Sequence, residues 1–222
     1  MIRIRIDDFP HTKGEPQHTL DAYRTFHREL TVCTGVRYLL GVIPGRCTPE
    51  DILFLRNETD CVIGMHGVHH DESKLDLYQN EFPPFFSEQQ VGRALLEASD
   101  ALEQAVGREV RIYMPPRNRI DWRTVNVLQD CGFFAYTGGP ETDFNLASHA
   151  GCIMSLPPDG YGRTDELLRG GAHERLAKKC LWGNSGDWVL GLHWTWETNI
   201  GLHHMREFFS RIPRESFGNF DE

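Results

Sequence analysis

The chain has 222 residues, of which 40% are hydrophobic and 25% are charged, as in a globular domain with a sizeable core. Its net charge of −9, without any run of basic residues, argues against a surface for nucleic acid, which is not an expected partner. No apolar stretch approaches the roughly 20 residues that a membrane span needs, and no secretory signal is recognisable. We therefore expect a cytoplasmic protein without a membrane span.

The first strand is predicted over Ile2–Ile6, because its isoleucines alternate with Arg3 and Arg5 in the period-two pattern of a strand with one buried face. The strand ends in Asp7-Asp8. Successive strand residues face opposite sides, so both carboxylates can share one centre only if the backbone turns there, which Pro10 favours. A metal ion would explain such crowding. The alternative is an ordinary turn in which the Asp side chains accept bonds from nearby backbone N–H groups.

Beyond this strand, periodic apolar residues predict helices alternating with strands. The predicted helices cover residues 20–30, 48–57, 87–106, 121–129, 164–179 and 202–211. The further predicted strands cover residues 36–43, 61–65, 110–114, 133–136, 152–154 and 188–192. This alternation of about seven strands with helices favours one domain with a parallel sheet, either closed as a barrel or open and doubly wound. In both architectures the ligand site lies at the carboxyl ends of the strands.

Polar side chains follow three more of these strands at the point where each ends. The segment His66–His70 follows the third strand, Pro115–Asn118 follows the fourth, and His193 follows the last. Two histidines four residues apart can present both imidazoles to one metal ion from a single helical turn. His66 and His70 have this spacing, and His66 with His69 is also geometrically possible. Surface histidines that bind no metal are the alternative.

The residue types at these strand ends suit hydrolysis of an amide. Two neutral imidazoles and one carboxylate leave coordination positions open, as in a catalytic and not a structural zinc site. The metal lowers the pKa of bound water and polarises a carbonyl. A second carboxylate can act as general base, and a separate histidine can protonate the leaving amine. Asp7 and His193 fit these two roles, although a strand-end histidine such as His193 can equally be buried and hydrogen-bonded.

The ordered set of motifs resembles the polysaccharide deacetylases, the fourth family of carbohydrate esterases, over nearly the whole chain. Ile4–Pro10 is similar to the family's first motif, in which the first Asp is the base and the second is a metal ligand. His66–His70 is similar to the second motif, whose metal-binding histidines are four residues apart, which favours His70 over His69. Tyr113–Asn118 resembles the third motif, and Leu190–His193 matches the last, whose histidine is the acid.

The resemblance implies a metal-dependent hydrolase on a single-domain, distorted seven-stranded (β/α) barrel. Asp8, His66 and His70 would hold a divalent metal ion, expected to be Zn²⁺. Asp7 would be the general base and His193 the general acid. The substrate would be a small molecule or oligosaccharide with an N-acyl, chiefly N-acetyl, amino sugar, such as a precursor in surface-polysaccharide biosynthesis. A deformylase or cyclic-amide hydrolase of the same superfamily is the nearest alternative, and the sequence indicates no oligomeric state.

Substrate-binding residues are predicted beside two of the motifs. By the resemblance, Pro116, Arg117 and Asn118 would line the groove, and the backbone N–H of Arg117 would stabilise the oxyanion. Arg117 could also bind an anionic substrate group or be a solvated surface residue. Trp194 and Trp196 follow the last motif and could stack on a sugar ring, although tryptophans more often pack in the core.

Several departures from the family pattern set this chain apart. Phe9 stands where the family usually has Gly, Gly67 where it has Ser or Thr, and Met114 where an Arg commonly holds the catalytic Asp. The usual Asp-x-x-Asp-Trp motif is not found, so the sequence assigns no carboxylate partner to His193. These changes predict a divergent branch with its own substrate. They also support a second hypothesis, a metal- or sugar-binding domain whose catalytic site has decayed.

Overall fold

The structure is a computed structural model, which describes residues 1–10, 19–70, 81–137, 154–155, 160–181 and 188–220. Its strands are β1 (Ile2–Phe9), β2 (Leu39–Val42), β3 (Val62–Met65), β4 (Ile112–Tyr113), β5 (Ala135–Tyr136), β6 (Met154–Ser155), β7 (Gly160–Tyr161) and β8 (Trp188–His193). Its helices are α1 (Leu20–Thr34), α2 (Pro49–Asn57), α3 (Glu88–Val106), α4 (Trp122–Asp130), α5 (Thr164–Arg169), α6 (Ala172–Leu181), α7 (Trp194–Ile200) and α8 (Leu202–Ser210). Part of the strand predicted at 152–154 lies outside the described residues.

The strands form a sheet in the order β6-β5-β4-β3-β2-β1-β8-β7. The pairings of β1 with β8, β3 with β4, β4 with β5, β5 with β6 and β7 with β8 are parallel. Parallel strands separated by helices confirm the α/β class. The described residues contain one strand more than expected, β7, which is too short to show a period-two pattern. Closure of the sheet into a barrel stays a prediction.

Contacts group the chain into two compact units. The first comprises Met1–Leu40, Asp60–Val62 and Pro158–Glu222, and the second comprises Gly41–Thr59 and Ile63–Pro157. The first unit therefore holds β1, β7 and β8 with α1 and α5 to α8. The second unit holds β4 to β6 with α2 to α4. The single-domain organisation expected from the sequence stays a prediction.

In the first unit, β1 is buried on both faces, which corrects the expectation of one buried face. Ile2, Ile4 and Ile6 have no exposed surface, and Arg5 on the opposite face is equally buried. The sequence pattern misleads here because an arginine in a strand ordinarily marks a solvated face. Arg3 is half-buried and donates from Nη1 to the backbone oxygen of Phe220 at 2.8 Å.

Aromatic side chains pack at the carboxyl end of β1. The Tyr23 ring on α1 meets the Phe9 ring edge to face at a centroid distance of 4.7 Å. Tyr23 also meets the Trp194 ring at 5.2 Å, again edge to face. All three side chains are fully buried, so this cluster fixes the end of the strand that carries Asp7 and Asp8.

In the second unit, capping residues set the boundaries of the helices. The Thr48 side chain caps α2 and forms a capping box with Asp51. Ser87 caps α3 in the same way, and α3 ends at Val106, followed by the C-cap residue Gly107 with a left-handed φ of 70°. Both predicted starts are confirmed, because capping is a local signal that the sequence shows directly.

One helical prediction in the C-terminal part of the chain was wrong, and one helix there was missed. The helix expected over 164–179 is divided into α5 and α6 by Gly170 and Gly171, of which Gly171 has a φ of 66°. Helix α7, which begins directly after β8, was not predicted. Within the described ranges, no helix has both the length and the apolar character of a membrane span.

Candidate functional site

In the first unit, the parallel pairing of β1 with β8 brings the two predicted catalytic residues into register. Asp7 pairs with His193, which is the last pair of the register and the end of β8. Since adjacent residues of a parallel pair project their side chains in the same direction, this register places a carboxylate beside an imidazole. Asp7 is 1% exposed, and the His193 side chain is 12% exposed.

Asp8 contacts the same histidine. Its Oδ2 lies 3.1 Å from His193 Nε2, within hydrogen-bond distance, so Asp8 supplies a carboxylate partner that the sequence left unassigned. The backbone of Asp8 has a φ of 68°, and its carbonyl oxygen accepts a 3.0 Å bond from the Trp194 indole N–H. Consecutive strand residues such as Asp7 and Asp8 ordinarily face opposite sides of a sheet. The left-handed backbone at Asp8 turns the end of the strand, so that the Asp8 carboxylate also reaches His193.

Arg5 completes the group that we call the acid cluster, which consists of Arg5, Asp7, Asp8 and His193. Arg5 Nε donates to Asp7 Oδ1 and Arg5 Nη2 donates to Asp7 Oδ2, both at 2.6 Å. The bonds run side by side, and both side chains are buried. A bidentate pair of this kind fixes both the position and the plane of the carboxylate.

In the second unit, the backbone of Met114 orients His66. The Met114 carbonyl oxygen lies 2.8 Å from His66 Nδ1 and also accepts a 3.1 Å bond from the Gly67 N–H. Because a carbonyl can only accept, the proton of a neutral His66 belongs on Nδ1, and Nε2 carries the lone pair. This is the arrangement that prepares an imidazole for a metal.

The segment His66–His70, which we call the histidine loop, is a bend and not the helical turn that was expected. His66 and His70 are both buried, and their ring centroids are 4.9 Å apart. His69 is exposed. The fold therefore places His70, and not His69, beside His66.

The carboxylate of Glu81 holds the histidine loop from within. It accepts backbone N–H bonds from Val68 at 2.8 and 2.9 Å, from His69 at 2.8 Å and from His70 at 3.0 Å. The Tyr113 hydroxyl donates to it at 3.3 Å, and burial, with the nearby Glu81 charge, raises the pKa of that hydroxyl well above its usual value. Three successive backbone donors on one carboxylate form a small anion-binding nest, which rigidifies the loop.

Arg46 holds the outer side of the same loop. Its Nε donates to the His69 carbonyl oxygen at 3.1 Å, and its Nη2 donates to that of His70 at 2.7 Å. Opposite charges therefore bind opposite sides of one backbone segment, with Glu81 on the amides and Arg46 on the carbonyls. His70 has a φ of 49°, which these bonds stabilise against its steric cost.

The predicted substrate-binding residues differ in how much surface they expose. Pro116 is buried, Asn118 is half-buried and Arg117 is exposed. Trp196 is 37% exposed, and its ring stacks on that of His193 at a centroid distance of 3.9 Å. Trp194 has no exposed surface, which excludes stacking on a sugar in this structure and corrects its assignment as a substrate-binding residue.

Backbone strain coincides with the predicted site. Among the described residues, the non-glycine residues with positive φ are Asp8, His70, Arg117 and Asn118. All of them are residues that the sequence motifs singled out for metal or substrate binding. Such conformations cost free energy and concentrate where function requires an unusual geometry, which supports the choice of these positions.

Comparison with known proteins identifies the family. The family model for polysaccharide deacetylase matches residues 9–136, more than half of the chain. The chain belongs to the polysaccharide deacetylase family. Among curated proteins, none matches it.

Solved structures of this family share the fold. A Mycobacterium smegmatis protein, provisionally described as a polysaccharide deacetylase, is 18% identical over 94% of this chain and 82% of its own, with a TM-score of 0.66. A family 4 acetyl xylan esterase from Clostridium thermocellum, in complex with a cobalt ion, is 12% identical over 99% and 88%, with a TM-score of 0.57. A CE4 family pseudoenzyme from Bacillus anthracis is 13% identical over 100% and 64%, with a TM-score of 0.56.

The departures from the polysaccharide deacetylase pattern have physical explanations here. Phe9 fills the aromatic cluster against Tyr23. Gly67 has a φ of 67°, and a Cβ there would lie 2.7 Å from Pro116 Cγ and 2.8 Å from a Glu81 carboxylate oxygen, so only glycine fits. Met114 is fully buried against Gly41 and offers no donor to a carboxylate, whereas Arg5 binds Asp7.

Sequence reasoning missed Arg5, Arg46 and Glu81. The signal for Arg5 was its spacing, since residues two apart on a strand share a face and Arg5 therefore lies beside Asp7. No local pattern marks Glu81 or Arg46, because their contacts to the histidine loop join distant parts of the sequence.

Proposed function

We propose that the chain is a metal-dependent hydrolase that removes an N-acyl group, chiefly N-acetyl, from an amino sugar. The juxtaposition of Asp7, Asp8 and His193 at the carboxyl ends of two adjacent parallel strands carries this proposal. It supplies two carboxylates and one imidazole, the groups that an amide hydrolase needs for a base, a metal ligand and an acid. Membership of the polysaccharide deacetylase family supports the carbohydrate substrate.

We propose Asp8, His66 and His70 as the ligands of one divalent metal ion, with Zn²⁺ as the expected metal. The donor set fits, because one carboxylate and two neutral imidazoles suit zinc and leave positions open. Two observations in the separate units support the choice: Asp8 is buried, and His66 has the proton placement of a prepared ligand. A bound metal ion supplies Lewis acidity, which makes water more acidic and the acyl carbonyl more electrophilic.

The residues of the chain would then divide the proton transfers between them. Asp7 accepts a proton from the attacking water, and His193 donates a proton to the departing amine. Trp196, stacked on the His193 ring, limits rotation of that imidazole, and its exposed surface is available for contact with a sugar. The backbone N–H of Arg117 stabilises the developing oxyanion.

The test measures metal content together with acetate release from N-acetyl sugars and sugar nucleotides. Asp7→Asn should retain about one metal ion per chain and lose turnover by at least ~10²-fold, since the base is gone while the ligands remain. His70→Ala should lose both the metal and the turnover. Asp60→Asn changes a side chain that is 87% exposed and serves as the control. A fully active Asp7→Asn protein would refute the assignment.

A second candidate is a non-catalytic metal- or sugar-binding domain. Met114 in place of the family's arginine favours it, as does the likeness to a CE4 family pseudoenzyme. Stoichiometric metal without turnover of any N-acyl sugar, in wild type and in all variants, would establish this alternative.

A further inference from the structure

Arg5 is a buried cation that takes no part in the proton transfers proposed above. Its guanidinium makes both bonds of a side-by-side pair with Asp7, each 2.6 Å long. Arg5 and Asp7 are two residues apart on β1, so both side chains project from the same face of the strand. The strand itself therefore delivers the guanidinium to the carboxylate.

The register of the sheet provides the space for this pair. Arg5 pairs with Gly191 on β8, which has no side chain to occupy the position beside the guanidinium. The next pair on the same face is Asp7 with His193. Arginine, proposed base and proposed acid thus follow one another along two neighbouring strands.

Stability alone does not explain a pair of charges in this position. Both side chains are essentially unexposed, and the loss of hydration on burial offsets most of their mutual attraction. The same strand buries Ile2, Ile4 and Ile6 on its other face, so apolar residues could fill a buried position here without that cost. A bidentate guanidinium does what an apolar side chain cannot, because it fixes the orientation of a carboxylate.

We propose that Arg5 is the positioning residue for the general base, and that it holds the Asp7 carboxylate in the plane and place from which it accepts the proton of the attacking water. The proposal rests on the proposed function, in which Asp7 is that base. Arg5 acts through Asp7 and does not contact the substrate. A misplaced base slows the chemical step while substrate binding is unaffected, so the effect belongs to kcat and not to KM.

The experiment compares Arg5→Lys and Arg5→Ala with the wild-type protein. Lysine keeps the charge but cannot make two parallel bonds, so kcat should fall by about 10²-fold while KM stays within about twofold. Metal content should be unchanged. Millimolar methylguanidinium should restore Arg5→Ala by at least about tenfold, because it replaces the missing group at the carboxylate. Turnover is measured at a temperature where circular dichroism shows each variant to be folded.

Arg3 provides the matched control, since it lies on the same strand, is half-buried and bonds a backbone carbonyl instead of a carboxylate. Arg3→Lys should keep wild-type kcat, and methylguanidinium should not accelerate Arg3→Ala. A kcat for Arg5→Lys within twofold of wild type would overturn the inference, as would equal rescue of both alanine variants. If the wild-type protein showed no turnover, the proposed function itself would be refuted. If the wild-type protein were active and Arg5→Lys equally active, only the role of Arg5 would be refuted, so the two failures are distinguishable.

Discussion

Glu81 offers a sharp test of how the histidine loop is held in place. Glu81→Gln keeps the shape of the side chain but removes its charge. Neutral acceptors contribute about 1 kcal/mol less per hydrogen bond than charged ones, so three backbone donors predict a loss of about 3 kcal/mol. The donors are the N–H groups of Val68, His69 and His70. The free energy of unfolding, measured with urea on the metal-free protein, should fall by about this amount.

The same substitution should weaken metal binding, because a looser loop must become ordered when the ion binds. Loss of a group that orients a metal ligand lowers the affinity for the metal by about 10- to 100-fold. Calorimetric titration with Zn²⁺ measures this affinity. Glu109→Gln is the matched control at an exposed position, with an expected change within about 0.5 kcal/mol. If Glu81→Gln matched this control in both stability and affinity, Glu81 would not organise the loop.

Two further predictions concern stability. Burial raises the pKa of Glu197 to about 7, against bonds from Thr164 that lower it. The folded state thus keeps a proton that the unfolded chain releases near pH 4.5. The free energy of unfolding, measured with urea, should therefore fall by about 3 kcal/mol as the pH rises from 4.5 to 7. Glu197→Gln should abolish this dependence on pH. Gly67→Ala should cost at least ~2 kcal/mol more in the free energy of thermal unfolding than Gly107→Ala. Both glycines have positive φ, but only at Gly67 would an added Cβ lie within 3 Å of other atoms, those of Pro116 and Glu81. Equal losses for the two alanine variants would contradict the proposed clash.

Local signals in the sequence predicted most of the regular structure. The starts of α2 and α3 follow from Thr48 and Ser87, whose side chains bond backbone N–H groups three residues later. The isoleucines of β1 gave the correct strand because a period of two is visible within six residues. In each case the residues that determine the helix or strand lie within a few positions of it in the sequence.

The elements that were missed depend on distant partners. Strand β7 exists because Gly160 and Tyr161 pair with Leu190 and Gly191 of β8, more than 25 residues away. Helix α7 contains tryptophans and β-branched residues, which have low helix propensity, and its first residue is fixed by burial of the Trp194 ring. Tertiary contacts outweigh local preference at both places.

The candidate site shows the same division between local and distant information. Asp7, Asp8 and His193 could be selected because they stand at strand ends, where ligand sites of parallel sheets occur. Their supporting residues could not be selected in this way. From the sequence alone, Arg5 resembles a solvent-exposed strand residue, because the burial of the strand is not visible there. Glu81 accepts bonds from the backbone amides of the histidine loop, and no sequence pattern shows that these amides face it.

The pairing of β1 with β8 also has a kinetic consequence. Residues 2–7 must find residues 188–193, so the contact that aligns Asp7 with His193 closes a loop of about 186 residues. At ribosomal rates of about 5–20 residues per second, a newly made β1 waits roughly 10–40 s for its partner strand. During that interval its three isoleucines and an unpaired edge are open to other chains. The acid cluster is therefore among the last parts of the molecule to form, and slow refolding with a tendency to aggregate should accompany it.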